Sequence, residues 1–522
     1  MRVSLLRPVL FVSGFYLLSN LAGFIARLLI NAQFGAGAEQ DALRAAFVIP
    51  DLLFNVLAGG ALASAFIPTY VARLSQNQFA HAWRLAQTTA ALIFLIVGGC
   101  AVLASLFAPW LVREVVARAF DEPQVRRTAA LMRLLLISTT IFGVSGLMMG
   151  VLQSNQRFLA PAIAPSLYQL GLILGTVLFA PRVGIEGVAW GAVLGALMHL
   201  GVQVPGVLHV MHTPNVASAP PSPAALLADL RQIAVLMPPR MVGLGAVQLN
   251  NVVNTTLASA VAGGVSAFNN AFAILVLPIA AIGQAIGTVL FPAISGHIAR
   301  NERAAFAITF NRALGQVIVL SVPASAGLMV IGEPIIRLLF ERGAFDARAT
   351  HWVAFALAWL ALGLPAHTAL ELVTRAFYAM KDSLRPALAA VFSVAINIAL
   401  SIVFFATFAR IGLPPVGGLG LANALATIGE TALLHRALAK REARLRSASF
   451  GRVLVKSFTA AGVMALALRG WVGVFGEGLL AVSTGLIGGV FLYFVVLFSL
   501  RAREAYPLLG MLRARLRKRR SG

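Results

Sequence analysis

The chain has 522 residues, of which 59% are hydrophobic and only 11% are charged. Soluble domains carry about 25% charged residues, so this composition excludes a soluble globular fold and indicates an integral membrane protein. The single cysteine, Cys100, excludes intramolecular disulfides and metal sites built from cysteine clusters.

The net charge of +23 is distributed in a way that argues against nucleic-acid binding. Basic residues lie in the short breaks between apolar blocks and in the C-terminal tail that begins near Arg513. This is the positive-inside pattern of membrane proteins, whose basic segments face the cytoplasm. We therefore expect membrane lipids, and no nucleic acid, as partners of these basic segments.

Apolar blocks follow one another from the N-terminus onwards. The first block follows the basic segment 1–7 and is too long for a signal peptide, which predicts an uncleaved first span. Blocks of about 20 apolar residues can cross a bilayer core, and their repetition predicts about 14 transmembrane helices. Their predicted centres lie near Leu18, Leu57, Ile96, Ile137, Leu172, Leu194, Val247, Leu277, Ile318, Leu360, Ile396, Ala424, Val463 and Gly489.

The longest polar break, rich in Pro, Ser and Ala, separates the sixth and seventh predicted spans. It suggests two six-helix halves followed by two additional helices. The predicted domains are an N-terminal half (1–212), a cytoplasmic linker (213–224), a C-terminal half (225–446), two further transmembrane helices (447–502) and a basic cytoplasmic tail (503–522).

The topology follows from the loop charges. An even number of spans places both termini on one side of the membrane. The basic segments 300–303, 381–385 and 440–444 fall on that side, which we expect to be cytoplasmic. The loop 35–41 lies on the opposite side and is relatively richer in acidic residues.

Two pairs of similar segments indicate an internal repeat. The segment around Pro161 resembles the segment around Pro386, and the segment that ends at Pro68 resembles the one that ends at Pro292. The members of the two pairs are separated by nearly the same interval along the chain, which makes a chance similarity unlikely. Because each half has an even number of spans, the repeats share one orientation, as in transporters whose pseudo-symmetric halves rock about a central site.

Polar side chains recur at helical spacing inside four predicted spans. These stripes comprise Asn20, Arg27 and Asn31 in span 1; Asp41, Arg44, Asp51 and Asn55 in span 2; Arg240, Asn251 and Asn254 in span 7; and Ser266, Asn270 and Gln284 in span 8. A charge at mid-membrane costs roughly 2.5–3.5 kcal/mol on insertion scales, so we expect the stripes to line a water-filled cavity between the halves. The candidate substrate-binding residues are Asn20, Arg27, Asp41, Arg44, Asp51, Asn55, Arg240, Asn251 and Asn270.

Structural roles compete with binding at several of these positions. Asp41 could lie at a helix entrance in an aqueous loop. Arg44 and Asp51 could form an ion pair, although a spacing of seven residues is long for direct contact. Arg240 follows two prolines and could stabilise a broken helix. Arg27 is the strongest cavity candidate because it lies deep in span 1.

Further polar residues have alternative interpretations. Asn251, like its neighbours in span 7, could join helices through hydrogen bonds. Glu371 and Arg375, four residues apart, are interpreted as a structural ion pair. Glu430 in span 12 is a lone acid that either binds a proton or cation or hydrogen-bonds a neighbouring helix. The sequence contains no Walker A motif, no His-Glu-x-x-His motif and no convincing nucleophile elbow, so we do not expect ATP-driven transport by this chain alone. The repeated halves and their polar stripes predict a transporter rather than an enzyme, and we expect no metal site.

An ordered set of short motifs runs through the whole chain. It comprises Gly23-Phe24, Phe34-Gly35-Ala36-Gly37, Asp41-Ala42, Phe47-Val48-Ile49-Pro50, Ala65-Phe66-Ile67-Pro68, Gly150-Val151-Leu152, Arg157-Phe158, Gly287-Thr288, Leu339-Phe340-Glu341-Arg342-Gly343-Ala344-Phe345 and Phe377-Tyr378. In this order and spacing, the set resembles the MurJ/MviN-type lipid II flippases of the multidrug/oligosaccharidyl-lipid/polysaccharide exporter superfamily.

The resemblance implies a MATE-like all-α membrane fold with two pseudo-symmetric halves and two C-terminal helices that help to form a groove for a lipid tail. It implies a flippase that moves undecaprenyl-linked peptidoglycan precursor (lipid II) from the inner to the outer leaflet of the bacterial plasma membrane by alternating access. Export of another polyprenyl-linked glycan or an amphipathic small molecule by the same fold is the alternative.

The resemblance also bears on energy coupling and assembly. We expect no cofactor, and the driving force is left open: a monovalent cation or the membrane potential is compatible with this fold. Asp51 and Glu430 are the candidate cation or proton ligands, and we expect a monomer.

Several positions where the family usually carries a charge are neutral in this chain. They are Asn20 in span 1, Phe54 and Gly59 in span 2, and Ala273 in span 8. An anionic diphosphate is best bound by charged hydrogen-bond donors. We hypothesise that Arg27, Arg44 and Arg240 supply the positive charge instead.

Overall fold

The computed structural model describes residues 6–58, 60–211, 222–442, 445 and 448–502. Within these ranges the chain is nearly all helical and contains no β-strand, which confirms the predicted all-α fold class. The predicted basic tail, 503–522, and positions 213–221 of the predicted linker lie outside the described residues.

The chain divides into two compact units. Unit 1 comprises Met1–Ser266 and Arg342–Phe345, and unit 2 comprises Ala267–Glu341 and Asp346–Gly522. The α-helices that lie in unit 1 are α1 (Leu6–Phe34), α2 (Ala38–Leu53), α3 (Gly60–Ser75), α4 (Phe79–Leu106), α5 (Ala108–Leu111), α6 (Glu122–Ser154), α7 (Leu159–Leu174), α8 (Ala180–Val183), α9 (Glu186–Gly201), α10 (Val204–Met211), α11 (Pro223–Leu236) and α12 (Pro238–Ala258).

Helix α13 (Gly264–Pro278) begins in unit 1 and continues in unit 2. The remaining helices of unit 2 are α14 (Ala285–Ala299), α15 (Arg303–Phe340), α16 (Ala347–Ala361), α17 (Leu364–Ala379), α18 (Leu384–Arg410), α19 (Val416–Arg441), α20 (Ala448–Phe475) and α21 (Leu479–Ser499).

Helices α11 and α12 follow the predicted linker in sequence but pack within unit 1, against α2, α3 and α4. The packing units therefore divide the chain near residue 266 rather than within 213–224. The predicted halves rest on a sequence repeat, and a repeat boundary need not coincide with a packing boundary. The predicted domain limits stay predictions.

Nine helical segments of the described residues are long and apolar enough to cross a membrane. The pair α16 and α17 also passes this test and bends by 48°, which gives up to ten spans. Ten of the predicted centres lie in these segments. The other four, Leu18, Leu57, Val247 and Ala424, lie in helices outside that set, so the count of about 14 stays a prediction.

Wider, π-helical turns interrupt some of the spans. One such turn, Phe54–Ala58, follows α2, and another, Ile279–Gln284, links α13 to α14. The starts of the two turns are separated by the same interval as Pro161 and Pro386 of the sequence repeat. Turns of this kind occur frequently at functional sites because they break the regular hydrogen-bond ladder. Equivalent positions of the repeat thus carry the same local irregularity.

Glycines bring two helices of unit 1 into backbone contact. A Cβ atom on Gly171 of α7 would lie 2.3 Å from the Cα atom of Gly195 on α9. A Cβ atom on Gly191 of α9 would lie 2.6 Å from the Cα atom of Gly175. Small residues allow such close crossings in membranes, where van der Waals packing replaces the hydrophobic effect between helices.

Unit 2 has a core of aromatic and aliphatic side chains. Phe306 and Phe310 on α15 and Phe377 on α17 are buried in one cluster. The last two helices, α20 and α21, pack on each other and on α15, and the hydroxyl of Tyr493 donates a 2.8 Å hydrogen bond to the carbonyl of Val319. Their outer faces carry exposed apolar residues such as Leu480, as expected for contact with lipid.

Candidate functional site

Asp41 lies in the first turn of α2, and its side chain is fully buried. Its carboxylate accepts hydrogen bonds of 2.7 Å from the backbone N–H groups of Gly263 and Ser266. These donors stand at the start of α13, where unpaired N–H groups and the helix dipole favour a negative charge. Asp41 therefore caps the N-terminus of α13 from another helix, rather than standing in an aqueous loop.

The backbone around this cap requires glycine. Gly263 has φ of +84°, and a Cβ atom there would lie 2.3 Å from the carbonyl oxygen of Ala36. A left-handed conformation combined with so close an approach excludes any larger residue. The segment before α2 and the segment before α13 are thus held together at the backbone level.

Two arginines of the predicted stripes come together inside unit 1. The guanidinium groups of Arg27 and Arg44 are close enough to interact unfavourably. Arg44 also interacts electrostatically with Asp51 and with Tyr168, but forms no salt bridge with Asp51 among the described residues. The Nε atom of Arg44 is buried and has no hydrogen-bond partner among the described residues. The cluster therefore carries an excess of positive charge.

The main chain at Asp51 accepts side-chain hydrogen bonds. Asn55 and Gln248 donate to the carbonyl oxygen of Asp51 at 2.8 Å and 3.1 Å. The π-helical turn that begins at Phe54 disturbs the regular hydrogen-bond ladder at this point. Asn55 thus has a structural contact in this conformation, while Asp51 itself remains exposed.

The other predicted site residues lie on α1, α12 and α13. Asn20 is exposed on α1, Asn251 is partly buried on α12, and Asn270 is fully buried on α13 within unit 2. Arg240 belongs to α12, but its side chain lies outside the described part of the chain. The site assignments of these residues stay predictions.

Unit 2 contains an ion pair that lies in a cavity. Arg375 Nη2 is 3.4 Å from Glu371 Oε2, as the i, i+4 spacing on α17 predicts. Arg375 Nη1 also donates to the carbonyl oxygen of Gln284 at 3.3 Å and to Thr288 Oγ1 at 3.1 Å. The guanidinium is thereby tied to the π-helical turn and to α14.

The cavity beside this ion pair has a volume of about 630 Å³. Its polar lining consists of Thr288, His367, Glu371, Thr374, Arg375 and Tyr378, and apolar side chains complete it. His367 is held by α19, because its Nε2 atom lies 3.0 Å from Asn423 Oδ1 and 3.3 Å from Thr427 Oγ1. Membrane cavities with several polar groups are candidate binding sites.

Glu430 on α19 is partly buried, and its carboxyl group lies near enough to the side chain of Ser393 on α18 to interact with it, while the Ser393 hydroxyl donates to the carbonyl oxygen of Ala426. This contact matches the interpretation in which Glu430 joins neighbouring helices. Asp51 belongs to unit 1 and Glu430 to unit 2. In the described ranges, no group of three or more His, Cys, Asp or Glu side chains could hold a metal ion.

The structure adds site residues that the sequence stripes missed. Tyr168 and Gln248 contribute to the unit 1 cluster, and His367, Thr288 and Tyr378 line the unit 2 cavity. Gln248 lies three residues before Asn251, and Thr288 lies four residues after Gln284. His367 and Tyr378 share one face of α17 with the ion pair of Glu371 and Arg375. Helical spacing from a polar residue already singled out was therefore the available signal.

Comparison with known sequences identifies related proteins. A family model described as lipid II flippase MurJ matches residues 30–497. A probable lipid II flippase MurJ from Rhizobium tropici is 29% identical over 99% of this chain and 98% of its own length. A lipid II flippase MurJ from Burkholderia cenocepacia is 28% identical over 89% of each chain.

Solved structures share the fold. A structure of lipid II flippase MurJ in an inward closed conformation superposes with a TM-score of 0.77 at 21% identity, over 96% of this chain and all of that one. An inward-facing MATE family multidrug transporter superposes with a TM-score of 0.68 at 16% identity, over 82% of this chain and 96% of that one. At these identities the likeness establishes a MATE-like fold.

Proposed function

The chain belongs to the lipid II flippase MurJ family, and we propose that it moves lipid II, the undecaprenyl-linked peptidoglycan precursor, from the inner to the outer leaflet by alternating access. It is a multi-span membrane transporter rather than an enzyme. A cell-wall role follows from this cargo. We further propose that it resides in the bacterial inner membrane as a monomer, with both termini cytoplasmic.

The cationic cluster of unit 1 supports this proposal most directly. The diphosphate that links the lipid to the sugar in such a precursor is anionic. Arg27 and Arg44 repel each other, and the buried Nε–H of Arg44 has no acceptor in the described part of the chain. An anion placed between the two guanidinium groups would relieve both costs. This cluster supports the hypothesis that Arg27 and Arg44 supply the charge missing at other positions.

Alternating access requires that one end of the site opens when the other closes. Asp41 ties the start of α2 to the start of α13, on the side that the loop charges predict to face outwards. We propose that these two hydrogen bonds close the outward end and break when cargo is released to the outer leaflet. The cost of uncapping α13 then sets part of the barrier to opening.

The lipid tail and the driving force complete the proposal. The apolar outer faces of α20 and α21 suit an undecaprenyl chain. Coupling to a monovalent cation or to the membrane potential remains our proposal, with Asp51 and Glu430 as candidate ligands. A dependence of transport on a sodium or proton gradient, lost on replacing Asp51 by Asn, would support this coupling.

A leaflet-accessibility assay tests the main proposal. The protein is reconstituted into vesicles with lipid II, and the fraction of lipid II that an external reagent can modify is followed in time. We expect faster exposure with the protein than with empty vesicles or with the Arg27→Gln/Arg44→Gln double variant. Equal rates in all three would contradict the proposal and favour another polyprenyl-linked glycan as cargo.

A further inference from the structure

The cavity of unit 2 presents a positive and a negative charge side by side. Glu371 and Arg375 are 33% and 22% exposed as side chains, so both are accessible from the cavity. The remaining polar lining consists of hydroxyl groups and an imidazole. The site is therefore close to neutral in total but strongly polar, unlike the cationic cluster of unit 1.

Arg375 is held in a fixed position. A Cβ atom on Gly287 would lie 2.6 Å from Nη1 and 2.9 Å from Cζ of Arg375, so the guanidinium rests directly on the backbone of α14. Its Nη1 atom donates to Gln284 and Thr288 and its Nη2 atom contacts Glu371, which leaves two of the five guanidinium N–H groups for a ligand.

Glu371 also keeps binding capacity. Its contact with Arg375 is 3.4 Å long, whereas charge-assisted hydrogen bonds are strongest at about 2.7–2.9 Å. A Cβ atom on Gly283 would lie 3.0 Å from the Cα atom of Thr368 and 3.4 Å from Cγ of Glu371, so α17 packs closely on this glycine beside the carboxylate. One carboxylate oxygen has no hydrogen-bond donor among the described residues.

These features select the class of ligand. A lone anion would be repelled by Glu371, and a lone cation would be repelled by Arg375. A group that carries both charges can pair with both side chains. Because Glu371 and Arg375 are already partly desolvated as an ion pair, binding such a group adds little to their desolvation free energy. The spacing of one helical turn between Glu371 and Arg375, about 5–6 Å between Cβ atoms, matches a short peptide with an ammonium and a carboxylate group.

We propose that the unit 2 cavity binds a zwitterionic peptide group of the transported molecule, with its carboxylate on Arg375 and its ammonium on Glu371. This inference rests on the proposed function, because it assigns the group to a lipid-linked glycopeptide cargo. Thr374 and Tyr378 line the same cavity and supply hydroxyls for the peptide amides. His367, anchored to α19, forms a fixed wall.

Binding of a soluble probe tests the inference directly. The probe is an N-acetylated tripeptide with a lysine side chain and a free C-terminal carboxylate, titrated into the purified full chain by calorimetry. We expect it to bind about tenfold more tightly than the same peptide with the lysine amine acetylated or the C-terminus amidated. Equal affinities for all three peptides would overturn the inference, without any need for a variant.

Variants then assign the two charges. In Glu371→Gln, we expect the preference for the free amine to disappear and the preference for the free carboxylate to remain. In Arg375→Gln, we expect the reverse. Glu333→Gln is the matched control, since Glu333 forms an i, i+4 ion pair with Arg337 at 3.2 Å in the same unit, away from the cavity. Unchanged preferences in both cavity variants would overturn the inference.

Transport separates this inference from the proposed function. Vesicles receive lipid II with either a free or an acetylated peptide amine. If the protein moves both forms equally and binds the three tripeptides equally, the cavity proposal fails and the flippase proposal stands. If the protein binds the zwitterionic tripeptide selectively but moves neither lipid, the flippase proposal fails and the specificity of the cavity stands.

Discussion

The polar interiors of the two units are built in opposite ways. In unit 1, Arg27 and Arg44 are close enough to repel each other, and Asp51 stays within electrostatic range without a salt bridge. In unit 2, Glu371 and Arg375 are paired on one helical face. Unit 1 therefore places two arginines near a single aspartate, which suits an anion, whereas unit 2 offers a paired acid and base, which suits a zwitterion.

Glycines serve two different purposes at two sites of the molecule. In unit 1, Gly171 of α7 and Gly191 of α9 lie against the backbone of the other helix. In unit 2, a Cβ atom on Gly287 would instead meet the guanidinium group of Arg375. The lack of a side chain therefore fixes the scaffold at Gly171 and Gly191, and it positions a charged side chain at Gly287.

The largest effect is expected from reversing a charge in unit 1. Arg44→Glu should lower the rate of lipid II exposure by about 100-fold or more, because losing a buried charged contact costs about 2–5 kcal/mol. The control is Arg84→Glu, which reverses an exposed charge in the same unit. A rate in Arg44→Glu that matches the control would show that the positive excess of unit 1 has no part in transport.

The same substitution at Gly191 and at Gly287 should distinguish a glycine needed for helix packing from a glycine needed for ligand binding. Gly191→Ala places a Cβ atom 2.6 Å from backbone atoms of α7, and overpacking of this kind costs about 1–3 kcal/mol of unfolding free energy. Gly287→Ala places a Cβ atom 2.6 Å from Nη1 of Arg375, so it displaces the end of one side chain and its hydrogen bonds rather than a helix backbone. We expect it to preserve the free energy of unfolding in detergent and to weaken tripeptide binding. Equal destabilisation by both variants would contradict the distinction.

A substitution at Asp41 tests whether its negative charge stabilises the N-terminus of α13 through the backbone N–H groups that it accepts from. Asp41→Asn keeps an acceptor oxygen but loses the charge, so we expect a loss of about 1 kcal/mol in unfolding free energy. Asp346→Asn is the matched control, because Asp346 caps α16 with a 2.8 Å hydrogen bond from the N–H group of Ala349. Asp41→Asn should also change the transport rate, and the control should leave it unchanged.

The smallest effect concerns a surface ion pair outside the membrane. Hydrogen bonds from Arg300 and His297 lower the pKa of Glu302 from 4.5 to about 2. Because this pKa is depressed in the folded state, the stabilisation is present above pH 4.5 and is lost as the pH falls towards 2. The melting temperature of the wild type should exceed that of Glu302→Gln slightly at pH 7.

The pH and salt dependence provides the check on this last prediction. The difference in melting temperature should vanish near pH 2 and shrink at high salt, since exposed charges are screened. A difference that is independent of pH would mean that Glu302 stabilises the protein through packing rather than through its charge.

Local features of the candidate sites could be predicted from the sequence. The ion pair of Glu371 and Arg375 was predicted because both residues lie on one helix, where a spacing of four places side chains on the same face. The interval of the sequence repeat reappears in the π-helical turns that begin at Phe54 and Ile279. Both depend only on residues that are near in sequence or on similarity between segments.

Contacts between distant segments could not be predicted. Asp41 bonds to the backbone N–H groups of Gly263 and Ser266, which lie far away along the chain. Its polar character placed it in a stripe, but the stripe did not reveal that a helix N-terminus would meet it. Likewise, the contact between the guanidinium group of Arg375 and Gly287 depends on how α14 packs against α17. Hydrophobic periodicity does not encode that packing.

The sequence alone determined that this protein is a helical membrane protein with repeated segments, basic cytoplasmic-type loops and polar stripes, because the bilayer imposes length and polarity on every span. The tertiary structure decided which polar groups are compensated. Whether a buried charge is satisfied depends on the atoms that surround it in space, and in a helical membrane protein most of those atoms come from other helices.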